Sequence, residues 1–165
     1  MLEVLIEARG WAGIPLETLA HRAAAATLRH LDIPVEESNI SLMACDDDRI
    51  EVLNASFREK PVPTNVLSWP SDTLAAGEAG QRPRAPVPDF DGTYELGDIA
   101  MAYETCAREA EELGKSLEDH ATHLIVHGIL HLLGYDHIRD RDAVLMQALE
   151  VEILGKLGLD DPYRI

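Results

Sequence analysis

Five of the seven histidines fall between His120 and His137, and three of them are spaced His127-x-x-x-His131-x-x-Gly134-x-x-His137. Residues four apart on a helix lie on one face, so His127 and His131 can aim their imidazoles at one ion. A glycine at position 134 permits the positive φ angle that ends a helix, and a turn through Tyr135 and Asp136 can return His137 to the third corner of a tetrahedron. Three neutral imidazoles leave a fourth position open to water. That is the pattern of a catalytic zinc, since a structural zinc is usually closed by cysteines. One Zn2+ per chain is therefore expected, on His127, His131 and His137. Imidazoles also accept nickel, cobalt or iron, so zinc is read from geometry and availability.

The same spacing serves metzincin proteases, in which a glutamate follows the first histidine as general base. Here that position is Gly128, and the loss of the proton acceptor weakens a peptidase reading. His123, one turn before His127, stands where it can support a ligand from behind, and His120 is expected at the surface near the helix start. Asp136 can orient an imidazole by accepting its second N–H or can cap the turn, and it is a candidate general base. Arg58 ends a short helical segment. A guanidinium there can grip a phosphate through two parallel hydrogen bonds or form a surface salt bridge. Lys60 adds local positive charge, while Thr64 and Asn65 are expected to shape a turn. His21 and His30 read as surface residues. Cys45 and Cys106 have no motif around them and read as buried small side chains.

These residues need elements to position them. Ser116 to Asp119 forms a capping-box pattern, so the histidine helix is expected from about Leu117 to Leu133, with Gly134 as its stop. Leu2–Ala8, Asn39–Cys45, Asn65–Trp69 and Tyr94–Met101 read as strands, and Leu16–Leu31, Arg49–Phe57 and Ala102–Leu113 as helices. The run Asp46-Asp47-Asp48 sits at a helix start, where capping explains it. Gly10 and Gly13 read as turn residues. Residues 70–93 carry Pro70, Gly77, Gly80, Pro83, Pro86, Pro88 and Gly92 and form a long surface loop, either a lid or an insertion. A last helix, Asp140–Leu157, is expected to pack Val144, Leu145, Leu149, Ile153 and Leu157 on the core. The fold class is α/β (α+β): a single small mixed sheet of about four strands covered by helices on one side.

Length and composition bound the rest. The 165 residues, 46% hydrophobic, suit one domain over 1–165. The first residues lack a secretory pattern, no stretch reaches the ~20 apolar residues of a membrane span, and two distant cysteines offer no disulfide framework. A cytoplasmic address is expected, with no membrane partner and no nucleotide cofactor. A formal charge of −16 opposes broad, salt-driven binding to phosphate backbones, so a nucleic-acid substrate requires positive charge local to a cleft or docking through a larger partner.

The run His127-Gly-Ile-Leu-His131-Leu-Leu-Gly-Tyr-Asp-His137 resembles the signature of the YbeY family of bacterial endoribonucleases and ribosomal RNA maturation factors. Leu53-Asn-Ala-Ser-Phe-Arg58-Glu-Lys-Pro-Val-Pro-Thr64-Asn-Val-Leu-Ser68 is similar to a second family segment, and Glu95-Leu-Gly97-Asp98-Ile99 to the strand before the metal helix. With Asp161-Pro-Tyr163, the resemblance covers nearly the whole chain. It departs at Pro61, where the family often has an acid, and at Trp69, where it often has phenylalanine. The resemblance implies an α/β sheet with helices and the zinc site at the end of a cleft, that His127, His131 and His137 bind the zinc, and that Arg58 is the cleft arginine important for activity. It implies a single-strand-specific endoribonuclease acting in 16S rRNA 3′-end maturation and ribosome quality control, with ribosomal RNA and small-subunit proteins as partners. The expected chemistry is hydrolysis by a zinc-activated water, with Arg58 stabilising charge on the phosphate. A non-catalytic zinc-containing ribosome assembly factor is the main alternative, and a zinc peptidase a weaker one.

Overall fold

The computed structural model describes residues 2–163. The first strand, β1 (Leu2–Ile6), leads through a short 3-10 turn at Arg9–Gly13 into helix α1 (Leu16–His30), which crosses over to β2 (Ser38–Cys45). Helix α2 (Asp47–Arg58), strands β3 (Val66–Pro70) and β4 (Tyr94–Ala102), and helices α3 (Tyr103–Glu112), α4 (Leu117–Leu132) and α5 (Asp140–Lys156) follow. The four strands form one sheet in the order β1-β2-β4-β3. β1 and β4 run parallel to β2, whereas the edge strand β3 is antiparallel to β4. The mixed four-stranded sheet matches the expected fold class.

Side chains alternate across a strand, and the alternation here builds two unequal cores. Ile40, Leu42 and Ala44 of β2 and Ile99 and Met101 of β4 face one side, where α1 and α4 pack with α5 behind them. Each fully buried Leu, Ile or Met in that layer contributes about 1.5–3 kcal/mol. Cys45, Ala100 and Ala102 face the other side, where α2 supplies Ile50. The helical cover is thus not confined to one face. It is partial on the second, since Glu3, Ser41, Glu95 and Asp98 remain exposed there. Both cysteines are buried, as expected.

The acidic run after β2 is a capping device. Asp46 Oδ1 accepts from the backbone N–H of Arg49 at 2.8 Å, and Asp47 Oδ1 accepts from the backbone N–H and hydroxyl of Thr105 at 3.0 and 2.8 Å. The second pair ties the start of α2 to α3. In α5 the buried face differs from the expected one. Met146, Leu149, Glu150, Ile153 and Leu154 are buried, whereas Val144 is 69% exposed. The stripe of Leu149 and Ile153 is right, but the helix is rotated so that Met146 and Leu154, not Val144, meet α4 and α1.

Candidate metal centre

Helix α4 is buried on nearly every side, with Ala121, Leu124, Ile125, Val126, Ile129, Leu130 and Leu132 all in the core. A helix that is apolar all round belongs in the middle of a layer. Its one polar stripe is a ladder of four histidines, 120, 123, 127 and 131, whose successive ring centroids are 6.2, 6.3 and 4.5 Å apart. The helix begins as expected, with Ser116 Oγ accepting from the backbone N–H of Asp119 at 3.1 Å.

Its other end brings in the third ring. Gly134 has φ +96°, its N–H reaches the carbonyl of His131 at 3.0 Å, and the N–H of Tyr135 reaches that of Leu130 at 3.0 Å. Those two bonds are the Schellman termination, with the buried Tyr135 as its apolar contact. The reversal carries His137 back to the helix, with ring centroids 5.4 Å from His127 and 5.1 Å from His131. A Cβ on residue 134 would lie 2.8 Å from the carbonyl carbon of Leu74 and 2.9 Å from the nitrogen of Ala75. Replacing Gly134 by alanine therefore combines left-handed strain of about 1–3 kcal/mol with displacement of the 70–93 segment. The expected fall in Tm of the metal-free protein is about 5–10 °C; an unchanged Tm in a thermal melt would show that the turn does not constrain the chain.

One nitrogen from each of His127, His131 and His137 lies within 4.8 Å of the other two, a group that could hold a metal ion. His127 Nε2 and His131 Nε2 are 3.0 Å apart. Nitrogens at 2.0–2.1 Å from a tetrahedral zinc stand about 3.3–3.4 Å apart, so the pair is close to a ligating separation. Burial, with the neighbouring His127 and His137 rings, lowers His131 to about 4, so at neutral pH it offers a lone pair. The donor set fits a borderline cation such as zinc.

Two carboxylates missed in the sequence organise the ladder. Glu150, 0% exposed, accepts from His127 Nδ1 and His123 Nε2, both at 2.7 Å, and from the Tyr163 hydroxyl at 2.5 Å. Burial alone would raise its pKa, but the hydrogen bonds from His123 and His127, then Tyr163, hold it at about 2. Glu109 of α3 lies 2.9 Å from His120 Nε2 and accepts from Asn65 Nδ2 at 3.0 Å. His120 is consequently not at the surface but 4% exposed, because α3 covers the start of α4; burial lowers its pKa against the raising influence of Glu109. The signal for Glu150 was present: a charge between the apolar positions Met146 and Ile153 falls on a buried stripe.

The three rings lie along a cleft of about 580 Å³ whose walls include Arg58, Thr64, Ser68, Trp69 and Asp136. Arg58 stands at the end of α2, which stops because Glu59 takes a left-handed φ of 56°. Among the described residues no carboxylate forms a salt bridge with Arg58. The exposed Phe57 ring meets Trp69 edge-on at 5.0 Å beside it. Asp136 caps the turn, its Oδ1 accepting from the N–H of His137 at 2.6 Å, and the same oxygen is 3.4 Å from His137 Nδ1. Asn65 is a turn-former as expected, with Oδ1 accepting from the N–H of Val66 at 2.6 Å. Gly128 faces the sheet: a Cβ there would stand 3.2 Å from Ile99 Cδ1 and 3.3 Å from Ser68 Oγ, leaving no room for a carboxylate. Residues 71–93 contain no helix or strand. They are fastened to the start of α5, with Arg139 donating to the carbonyls of Ala76 and Gly77 at 3.0 Å each, and Asp142 Oδ1 accepting from the N–H of Gly80 at 2.8 Å.

Known proteins resemble this one along the same lines. A family model described as Endoribonuclease YbeY matches residues 11–158. The Endoribonuclease YbeY of Ruegeria pomeroyi is 59% identical over 162 residues, covering 98% of this chain and 97% of that protein. That of Dinoroseobacter shibae is 52% identical over 162 residues, covering 98% and 90%. The fold is also similar to that of a Thermotoga maritima protein solved in solution, with a TM-score of 0.56 and 21% identity over the whole of both chains, a likeness of fold alone. A model match over most of the length, with relatives above half identity end to end, means that the chain belongs to the YbeY endoribonuclease family.

Proposed function

We propose that this protein is a zinc-dependent, single-strand-specific endoribonuclease that matures the 3′ end of 16S rRNA in the cytoplasm and serves ribosome quality control, working on ribosomal RNA with small-subunit proteins as partners. The observation that carries the reading is the convergence of three imidazoles in one open cleft with an arginine that forms no salt bridge among the described residues. His127, His131 and His137 would hold one Zn2+. Bound there, zinc supplies Lewis acidity, compensating charge on a phosphoryl oxygen and acidifying water.

The chain's own residues do the remaining work. Arg58 binds a phosphate of the RNA through its guanidinium fork and opposes charge that develops on it. Glu150 holds the Nδ1 proton of His127, and Asp136 fixes the turn that presents His137. The nucleophile is water or the RNA's own 2′-hydroxyl attacking the adjacent phosphate; in either case its proton would pass to a base such as Asp136 while the P–O bond to the leaving nucleoside breaks and the leaving oxygen takes a proton from solvent. A substrate with 2′-deoxyribose at the cut site separates these: abolished cutting assigns the 2′-hydroxyl, unimpaired cutting assigns water and a protein base.

The reading is tested with a single-stranded rRNA fragment and protein freed of metal by chelation. Cleavage is expected to vanish with the metal and to return with one equivalent of zinc. Zinc that raises thermal stability without restoring any cleavage would leave a structural metal in an assembly factor.

A further inference from the structure

Glu150 lies in the apolar layer between α4 and α5, beside Met146, Leu149, Ile153 and Leu154, with its side chain 1% exposed. A carboxylate so placed is retained only if its oxygens are satisfied. Three groups meet it: His127 Nδ1 on Oε1, and His123 Nε2 and the Tyr163 hydroxyl on Oε2. An ionised carboxylate accepts and does not donate, so each imidazole must present an N–H to it. A neutral imidazole has one N–H. His127 therefore carries its proton on Nδ1 and turns a lone pair at Nε2 toward His131 Nε2, 3.0 Å away. By the same logic His123 is protonated on Nε2, and its buried Nδ1, which has no partner, is left as an acceptor and not as a stranded donor.

We propose that Glu150 is the positioning residue of the histidine cluster: by accepting the Nδ1 proton of His127 it fixes the tautomer and ring orientation that aim Nε2 at the metal position. His123 and Tyr163 are co-donors that fix the carboxylate in turn, so the tail residue Tyr163 and the core of α5 act on the cluster through one side chain. The assignment of a ligand role to His127 rests on the zinc reading above; the tautomer does not.

His123, His127 and Glu150 also lie within 4.8 Å of one another, in the manner of a second ion-binding group. An ion there would take the same Nδ1 that the hydrogen bond uses, so the two arrangements exclude each other. Hydrogen bonds at 2.7 Å account for the contacts with no ion.

The test uses the full chain. In the metal-free wild type, long-range 1H–15N correlation of the imidazoles is expected to show His127 as the Nδ1–H tautomer; an Nε2–H tautomer overturns the proposal whatever the variants do. Glu150→Leu, which removes both acceptor oxygens at similar volume, is expected to weaken zinc binding by about 10–100-fold in competition with a chromophoric chelator, while circular dichroism stays that of the folded protein. Glu150→Gln keeps one acceptor oxygen and is expected to recover part of that loss. A merely structural Glu150 would lower the Tm of both variants and leave zinc affinity within about threefold of wild type, which overturns the proposal. So does a second zinc equivalent bound by wild type and lost in Glu150→Leu. If wild type binds no zinc, the metal reading fails, and the tautomer spectrum alone decides the role of Glu150.

Discussion

Replacing His131 by alanine is expected to take zinc content from about one per chain to a small fraction of that, and to lower RNA cleavage by at least about 10³-fold, since a bound ion would bring the pKa of water far down from its bulk value toward neutrality. His131 is the right probe because it is central: its Nε2 is 3.0 Å from that of His127, and its ring is within 5.1 Å of that of His137. Removing it leaves two donors, on rings whose centroids are 5.4 Å apart. Unlike His127, whose Nδ1 also holds the buried Glu150, His131 forms no salt bridge with a core carboxylate among the described residues, and its remaining tie is a hydrogen bond to the backbone of Tyr135. The metal-free variant should melt close to the metal-free wild type. Zinc at about 100 times its Kd would stabilise the wild type by about 2.7 kcal/mol, a Tm rise of about 5–10 °C for a chain of this size. The variant should show no such rise. Elemental analysis, melting and cleavage on the same preparations decide the matter. A variant that keeps its zinc would mean that the ion sits elsewhere, and one that loses zinc yet still cuts would mean that the metal is not part of the reaction.

The three-histidine cluster was legible in the sequence because all its determinants are local. Helical periodicity aligns His127 with His131, and a single glycine with φ +96° sets the return of His137. The strands were legible for the same reason, since alternation and turn residues report on a few neighbours at a time. What supports the cluster was not. Glu150 is 23 positions from His127 in the chain, and Tyr163 13 from Glu150; only the packing of α5 on α4 brings them together. His120 was misplaced for a related reason, because a histidine near a helix start is exposed unless another helix covers it, and the cover by α3 is a tertiary fact. The rotation of α5 could have been caught. A stripe drawn through Met146, Leu149, Ile153 and Leu154 includes Glu150 and omits Val144, and a charge inside an apolar stripe is the informative exception. The 70–93 segment reads as loop in the sequence, and in the fold residues 71–93 hold no helix or strand while Pro70 ends β3; its attachment to Arg139 and Asp142 depends on backbone carbonyls and amides that composition does not reveal.

The charge of −16 sharpens the second large prediction, which concerns Arg58. Among the described residues that line the cleft, Arg58 is the one fixed cation, and Asp72 and Asp136 share the walls with it. A protein this acidic has no general attraction for RNA to fall back on, so on the proposed function a phosphate reaching the cluster would depend on Arg58 and on the metal. Arg58→Ala is expected to cut kcat/KM by about 10²–10³-fold, the usual cost of removing one preorganised donor to developing charge, with zinc content and Tm unchanged because the side chain makes no salt bridge among the described residues. Arg58→Lys should recover little, since an ammonium keeps the charge but loses the planar fork that grips two phosphate oxygens. The division between kcat and KM tells which state the guanidinium serves: a loss in kcat places its effect in the transition state, whereas a loss confined to KM makes it a substrate clamp. Salt adds an independent check. One phosphate contact on a single strand contributes about 0.7 to the slope of log K against log salt, so the wild type should show a shallow slope and the alanine variant one lower by about that amount. An unchanged slope with unchanged kcat/KM would remove Arg58 from the site and leave the metal to hold the phosphate unaided.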